Sequence, residues 1–428
     1  MVAAVCLFVF SYGVPMLFPV AQVFLTIILM GTILDGLVIF NKKDPVAACR
    51  ILPDRLSNGD QNTVEIRLQS KLLYPIRTRI IDELPDQLQV RNFSLHVTLY
   101  PQEECIKTYQ VRPTVRGEYV FHWINLYFKT PLALVVRRQT VRAEKAVKVL
   151  PSFLQLRQYE LLAYSNRLSE SGGRKIRKLG HSLEFEQIKE YVRGDDVRTI
   201  NWKATGRSGG SLMVNKYIDE KSQQVYCIID QGRVMKMPFE GMTLLDYAIN
   251  ATLMLSRVAL IKQDKAGLVV FSDQVNGFLP ADHKAIQMTS ILDGLYRLET
   301  KFPDSDFEKL HTLVSARIMQ RSLIVLFTNF ESLSGLHRQL PYLRSIAKSH
   351  LLLVVFFENT ALAQITKLKV KRVEDVYTST IAAKFAFEKR LIVKALQQHG
   401  IASILTTPQR LTANAVNKYL EIKARQAI

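Results

Sequence analysis

Val225–Asp230, VYCIID, is a short and almost unbroken apolar run that ends on a carboxylate. A strand buried on both faces loses the in–out alternation of a half-exposed one, so such a run reads as a central strand of a parallel sheet. Four more runs follow it: Gly267–Phe271, Leu323–Phe327, Leu351–Phe357 and Ala402–Leu405. Amphipathic stretches separate them, at Leu244–Ile261, His283–Leu298, Phe307–Met319, Leu336–Ser349, Ile381–His399 and Thr412–Arg425. Strand–helix alternation of this kind predicts a doubly wound, mostly parallel α/β sheet over residues 224–428. The turn after the first strand, DQGRVM, is neither GxGxxG nor GxxxxGK. A dinucleotide or P-loop site is therefore not expected.

Upstream, the pattern changes twice. Residues 44–150 alternate in the manner of half-buried strands, as in Val64–Leu68, Leu95–Leu99 and Tyr119–Ile124. Asn58-Gly59-Asp60, Leu84-Pro85-Asp86 and Arg116-Gly117-Glu118 supply the turns. A small antiparallel β-sandwich is expected here. Residues 151–223 read as a connecting segment, with a helix over Phe153–Leu168 and loops at Ser171-Gly172-Gly173 and Gly206–Gly210.

Residues 2–40 hold one charge, Asp35, and no Lys or Arg. This run is too long for the apolar core of a signal peptide. The break at Ser11–Pro15 and Pro19 splits it into two spans, about 2–17 and 20–40, so residues 1–43 are expected to form a transmembrane hairpin. Lys42, Lys43 and Arg50 follow the second span, which places the bulk of the chain in the cytoplasm by the positive-inside rule. The first span is short, and an upstream start is an open expectation.

The 428 residues carry a formal charge of +19. With no zinc-finger or RNA-binding aromatic motif beside the basic clusters, that charge points to anionic lipid headgroups rather than nucleic acid. The four cysteines, Cys6, Cys49, Cys105 and Cys227, have no paired spacing. They suit a reducing compartment and suggest no metal motif. Neither a nucleophilic triad nor a small-molecule substrate motif is evident.

The stretch EFEQIKEYVRGDDVRTINW (Glu184–Trp202), with QDKAGLVVFSD (Gln263–Asp273) and LTTPQRLTANAVNKYLEIK (Leu405–Lys423), resembles the domain of unknown function 58 family. VRPTVRGEYVF (Val111–Phe121) and FKTPLALVVRR (Phe128–Arg138) resemble the β-domain that precedes this signature in the family. The resemblance implies a bacterial inner-membrane protein whose α/β domain is similar to von Willebrand factor A. It also implies a partner, a MoxR-type AAA+ ATPase, and a role as a non-enzymatic adaptor or co-chaperone in maturing envelope or metal-dependent proteins.

A von Willebrand A domain holds Mg²⁺ at its sheet edge with a DxSxS motif, a Thr and an Asp. Asp230 matches the first Asp. Gly232 and Val234 stand at the two Ser positions, and Asn329 replaces the later Asp. Ser305 or Asp306 falls in the Thr loop. The first shell is therefore degenerate, and no cofactor is expected. In the signature, Arg193 and Arg198 flank the Asp195-Asp196 pair, and Lys203 follows. The close opposite charges, with Glu184, read as a clamp or partner contact, and Trp202 as its packing anchor. The alternatives are a Mg²⁺-dependent receptor domain and a hydrolase using the paired carboxylates.

Overall fold

The computed structural model describes Val9, Gly13 and residues 17–154, 183–192, 195, 197–209, 211–219, 222–360 and 373–425. These separate into two compact units, Met1–Leu150 and Pro151–Ile428.

The first unit opens with helix α1 (Leu17–Phe40). At a rise of about 1.5 Å per residue, its 24 residues reach about 36 Å, enough to cross a bilayer core of about 30 Å. The first helix of the expected hairpin lies outside the described residues. Eight strands follow: β1 (Val46–Ile51), β2 (Arg55–Ser57), β3 (Asn62–Ser70), β4 (Ile76–Asp82), β5 (Leu95–Leu99), β6 (Glu104–Val111), β7 (Gly117–Lys129) and β8 (Val136–Leu150). They form a three-stranded sheet, β1-β3-β6, and a five-stranded sheet, β2-β8-β7-β4-β5. The pairings are antiparallel except for β2 on β8, which is parallel. Strand β3 shows why a sandwich forms: Val64, Ile66 and Leu68 are buried at every second position, the pleat period. In β7 the inward set is Tyr119 and Phe121, then Ile124, Leu126 and Phe128. The parity changes because the pairing with β8 slips between Phe121 and Trp123. This bulge leaves His122 and Trp123 both outside.

In the second unit, β9 (Leu183–Glu190) pairs antiparallel with β10 (Met213–Asp219), and the short helix α2 (Trp202–Thr205) lies between them in sequence. Sequence reasoning treats this segment as a connection and misses the two-stranded ribbon. Residues 155–168 of the helix expected after Phe153 lie outside the described residues. The sheet begins with β11 (Gln224–Asp230). A small ribbon of β12 (Pro238–Phe239) and β13 (Met242–Thr243) leads into α3 (Leu244–Ile261). Then come β14 (Lys265–Phe271), β15 (Val275–Asp282), α4 (Ile286–Tyr296), α5 (Phe307–Arg317), β16 (Leu323–Phe327), α6 (Leu333–Ser349), β17 (Leu351–Phe357), α7 (Val373–Gln398), β18 (Ala402–Thr406) and α8 (Leu411–Ala424).

The strand order is β15-β14-β11-β16-β17-β18, parallel except for the antiparallel edge strand β15. Strand β11 sends Val225, Cys227 and Ile229 to one face, where they pack with α3, α4 and α8. It sends Tyr226 and Ile228 to the other, against α5, α6 and α7. Helices thus cover both faces, which is why the strands read as continuous apolar runs. The long apolar α3 is a core helix, 78% buried. Its Thr243–Asp246 capping box fixes where it starts.

Candidate functional site

The chain leaves β11 toward β14 on one side and returns at β16 on the other. The carboxyl ends of β11 and β16 therefore flank the topological switch point, where open α/β sheets bind ligands. Asp230 ends β11 here and is fully buried. Its Oδ1 accepts hydrogen bonds from the Gly232 N–H at 2.8 Å and the Ser305 hydroxyl at 2.5 Å. Its Oδ2 accepts one from the Thr328 hydroxyl at 2.6 Å. Burial pushes this carboxyl above the usual carboxylate range, and the three hydrogen bonds pull against that shift.

The structure separates the two candidates in the Thr loop. Ser305 turns to Asp230, whereas Asp306 caps α5 by accepting from Glu308 N and Lys309 N. It also explains the glycine at position 232. A Cβ there would stand 1.8 Å from Ser305 Oγ, so the Ser305 hydroxyl already fills the space that a side chain at 232 would need. Asn329 is committed as well. Its Oδ1 accepts from Lys389 Nζ at 2.7 Å, and its Nδ2 donates to Val234 O at 3.4 Å. A divalent cation here would meet one carboxylate already holding three donors, with an ammonium hydrogen-bonded to the adjacent amide. This donor set does not fit Mg²⁺, which takes open oxygen ligands and retained waters.

Beside this cluster lies a cavity of about 330 Å³, lined by Phe239, Phe357, Phe385 and Leu405 and by the polar groups of Asn329, Glu331, Glu358 and Lys389. Lys389, on α7, also donates to Phe330 O and sits 5.7 Å from the centre of the Phe356 ring. Burial lowers its ammonium to about 8, and the charge of Glu331 opposes the shift. Sequence reasoning missed this cavity and Lys389. Its only available signal was a Lys-Arg pair in a stretch of helix rich in apolar residues.

The signature residues fall elsewhere in this unit. Asp195 accepts from Lys189 Nζ at 2.9 Å and from Val192 N at 3.0 Å. The Lys189 bond, then the backbone bond, holds its carboxyl below the usual range. Asn201 caps α2 by accepting from Ala204 N, and its Nδ2 donates to Asn215 Oδ1 across the ribbon. Trp202 then projects outward and is 73% exposed. The expectation is that Trp202 packs as the anchor of the charged network; among the described residues its indole is instead mostly open to solvent. Lys203 and Arg198 are also exposed. Arg193, Asp196 and the Glu184 side chain lie outside the described residues. Among the described residues, no group of three His, Cys, Asp or Glu side chains converges as a metal site would require.

The family model for the protein of unknown function DUF58 matches residues 187–396, a span from the ribbon through most of the α/β sheet, and supports that family for this chain. No curated protein matches. Solved structures with partial similarity include the ASH/PapD-like domain of human CEP192, with 10% identity over 26% of this chain and 92% of that one, at a TM-score of 0.20. Another is the CARDB domain of PF1109 from Pyrococcus furiosus, with 17% identity, 24% and 94% coverage and a TM-score of 0.19. A third is a FixG-related protein from Vibrio parahaemolyticus, with 9% identity, 25% and 97% coverage and a TM-score of 0.18.

Proposed function

We propose that the whole chain, beyond the matched span, is a DUF58 protein acting as a non-enzymatic, membrane-anchored adaptor. Its α/β unit is read as von Willebrand factor A-like, on the strength of a doubly wound sheet whose one antiparallel strand among the described residues is the edge strand β15. The large units face the cytoplasm of a bacterium, and a MoxR-type AAA+ ATPase is the partner. The observation that carries this reading is Trp202. An indole left 73% exposed on the short helix α2, between the two strands of the ribbon in sequence and with Lys203 and Arg198 nearby in sequence, has the composition of an interface hot spot. A packed structural clamp would have hidden it.

The test is co-purification of the full chain in detergent with the MoxR-type ATPase of the same genome. Trp202→Ala should abolish capture while the melting temperature stays at the wild-type value. Undiminished capture by that variant, or no capture by the wild type, sinks the reading.

A Mg²⁺-dependent receptor domain is the second reading: the Asp230, Ser305 and Thr328 oxygens converge at the switch point, but their hydrogen bonds to one another weigh against it. Calorimetric titration with Mg²⁺ separates the two. Heat of binding that disappears in Asp230→Ala would favour the receptor.

A further inference from the structure

Asp35 is the one charge in the apolar run, and it is 1% exposed. Its partners all come from the loop between β7 and β8. Oδ1 accepts from the Thr130 hydroxyl, and Oδ2 accepts from Leu134 N at 3.0 Å and Val135 N at 2.8 Å. The Thr130–Val136 sequence is TPLALVV, without a charge. Leu132 is 65% exposed, and Pro131, Ala133, Leu134 and Val136 are exposed as well. Leu134 Cδ1 lies only 3.3 Å from where a Cβ on Gly31 would stand, so glycine lets this loop close on α1.

A second loop meets the helix lower down. Tyr74 donates its hydroxyl to Val38 O, and the neighbouring Leu73 is 75% exposed. Arg137 donates to Ile39 O and Lys42 O, and stacks 5.0 Å from the centre of the Phe40 ring, which closes the helix end.

Depth follows from helix geometry. Gly31 is nine residues before Phe40, or about 13 Å along the axis. If Lys42 and Lys43 mark the headgroups, a loop packed at Gly31 lies below them, among the acyl chains. The β7–β8 loop carries the apolar exposed surface that this position demands. Its inward-turned N–H groups are answered by Asp35, as an environment without water requires.

We propose that the β-sandwich is itself an interfacial membrane module. The Pro131–Leu134 loop and Leu73 enter the bilayer beside α1, and exposed Lys42, Lys43, Lys71 and Lys129 meet anionic phospholipid headgroups. Asp35 is then a positioning residue for the inserted loop, not a relay or a ligand. The inference rests on reading α1 as a membrane anchor.

The test uses the full chain in vesicles of phosphatidylcholine and phosphatidylglycerol. Leu132→Trp, Leu73→Trp and Glu118→Trp each add one indole at an exposed position. Glu118 lies 11 residues up β7 from Lys129, on the order of 35 Å away. Phospholipids brominated on their acyl chains should remove at least half of the added emission at 132 and 73, and leave that at 118 unchanged. Protein that floats with the vesicles while 132 and 73 quench no more than 118 overturns the insertion and leaves the anchor standing. Protein that does not float at all removes the anchor reading, and this proposal with it.

Discussion

Arg50, Asp82 and Tyr109 meet inside the β-sandwich from three strands, whereas Lys189 and Asp195 meet at the surface of one ribbon. The first group contains a buried ion pair, with Arg50 1% and Asp82 0% exposed at the side chain. Arg50 Nε donates to Asp82 Oδ2 at 3.0 Å, Arg50 Nη1 donates to Ala143 O at 2.7 Å, and the Tyr109 hydroxyl donates to Asp82 Oδ2. Burial pushes the Tyr109 hydroxyl above its ordinary range, and the Asp82 charge pushes it further. The second group comes from a charge-dense stretch of the chain, yet its side chains keep 35% and 26% of their surface exposed. Charge density in sequence therefore says little about burial, which strand register decides. A residue such as Asp82 is fixed by what lies across two sheets.

This contrast can be broken by experiment. The two tryptophans are Trp123 and Trp202, one in each unit. In a Trp202→Phe background, indole fluorescence reports the sandwich alone. Asp82→Ala strands a buried guanidinium and should cost about 3–5 kcal/mol in denaturant unfolding followed this way. A cost below about 1 kcal/mol, the range of exposed pairs, would show that the cluster is solvated.

Asp230 sharpens the same comparison, because it is buried with no cationic partner among the described residues. Asp230→Ala leaves the Ser305 and Thr328 hydroxyls and the Gly232 N–H without their acceptor. The loss should be roughly 3 kcal/mol, read by circular dichroism of the second unit. Millimolar Mg²⁺ should leave the wild-type melting temperature unchanged. A cation at 100 times its dissociation constant would add about 2.7 kcal/mol, and such a gain would show that the cluster opens to metal.

Lys389 provides the pH-dependent case. Its folded pKa is about 8 against an ordinary 10.5, so between these values the unfolded chain holds the proton that the folded chain has lost. Stability should therefore rise as the pH climbs from 8 to 10.5, by about 2 kcal/mol after allowance for partial exposure. Lys389→Met should lack this rise. Parallel stability curves for the two proteins would mean that the ammonium is solvated.

The smallest effect is expected where the sequence looks most conspicuous. Asp195→Ala should leave the unfolding midpoint at its wild-type value. A clear drop would support the clamp and cancel the contrast with Asp82.

The α/β sheet was readable because burial on both faces writes itself into composition: LIVLF and LLLVVFF are apolar from end to end, and each forms a strand. The edge strand β15, VNGFLPAD, was missed because one exposed side and an internal proline dilute that signal. The β9–β10 ribbon was missed because half of LEFEQIKE is charged and Gln187 and the Lys189-Glu190 pair interrupt the in–out alternation that marks a half-buried strand. Asp230 was legible as a strand end, and the family resemblance brought Ser305 to the same site from 75 residues away. The Thr328 bond, from 98 residues away, has no local signal in the sequence. The cavity beside Lys389 depends on which face of α7 meets the sheet, and local periodicity does not encode that.

The ties at Asp35, Val38 and Ile39 join α1 to the β-sandwich at successive points along the helix. If α1 is the membrane anchor proposed above and these ties hold, a change in bilayer thickness that leans the helix by ~20° would sweep the far rim near Glu118 through about 12 Å. On the proposal that α1 anchors the chain in a bilayer, a sandwich held in this way would be a lever whose short arm lies in the lipid.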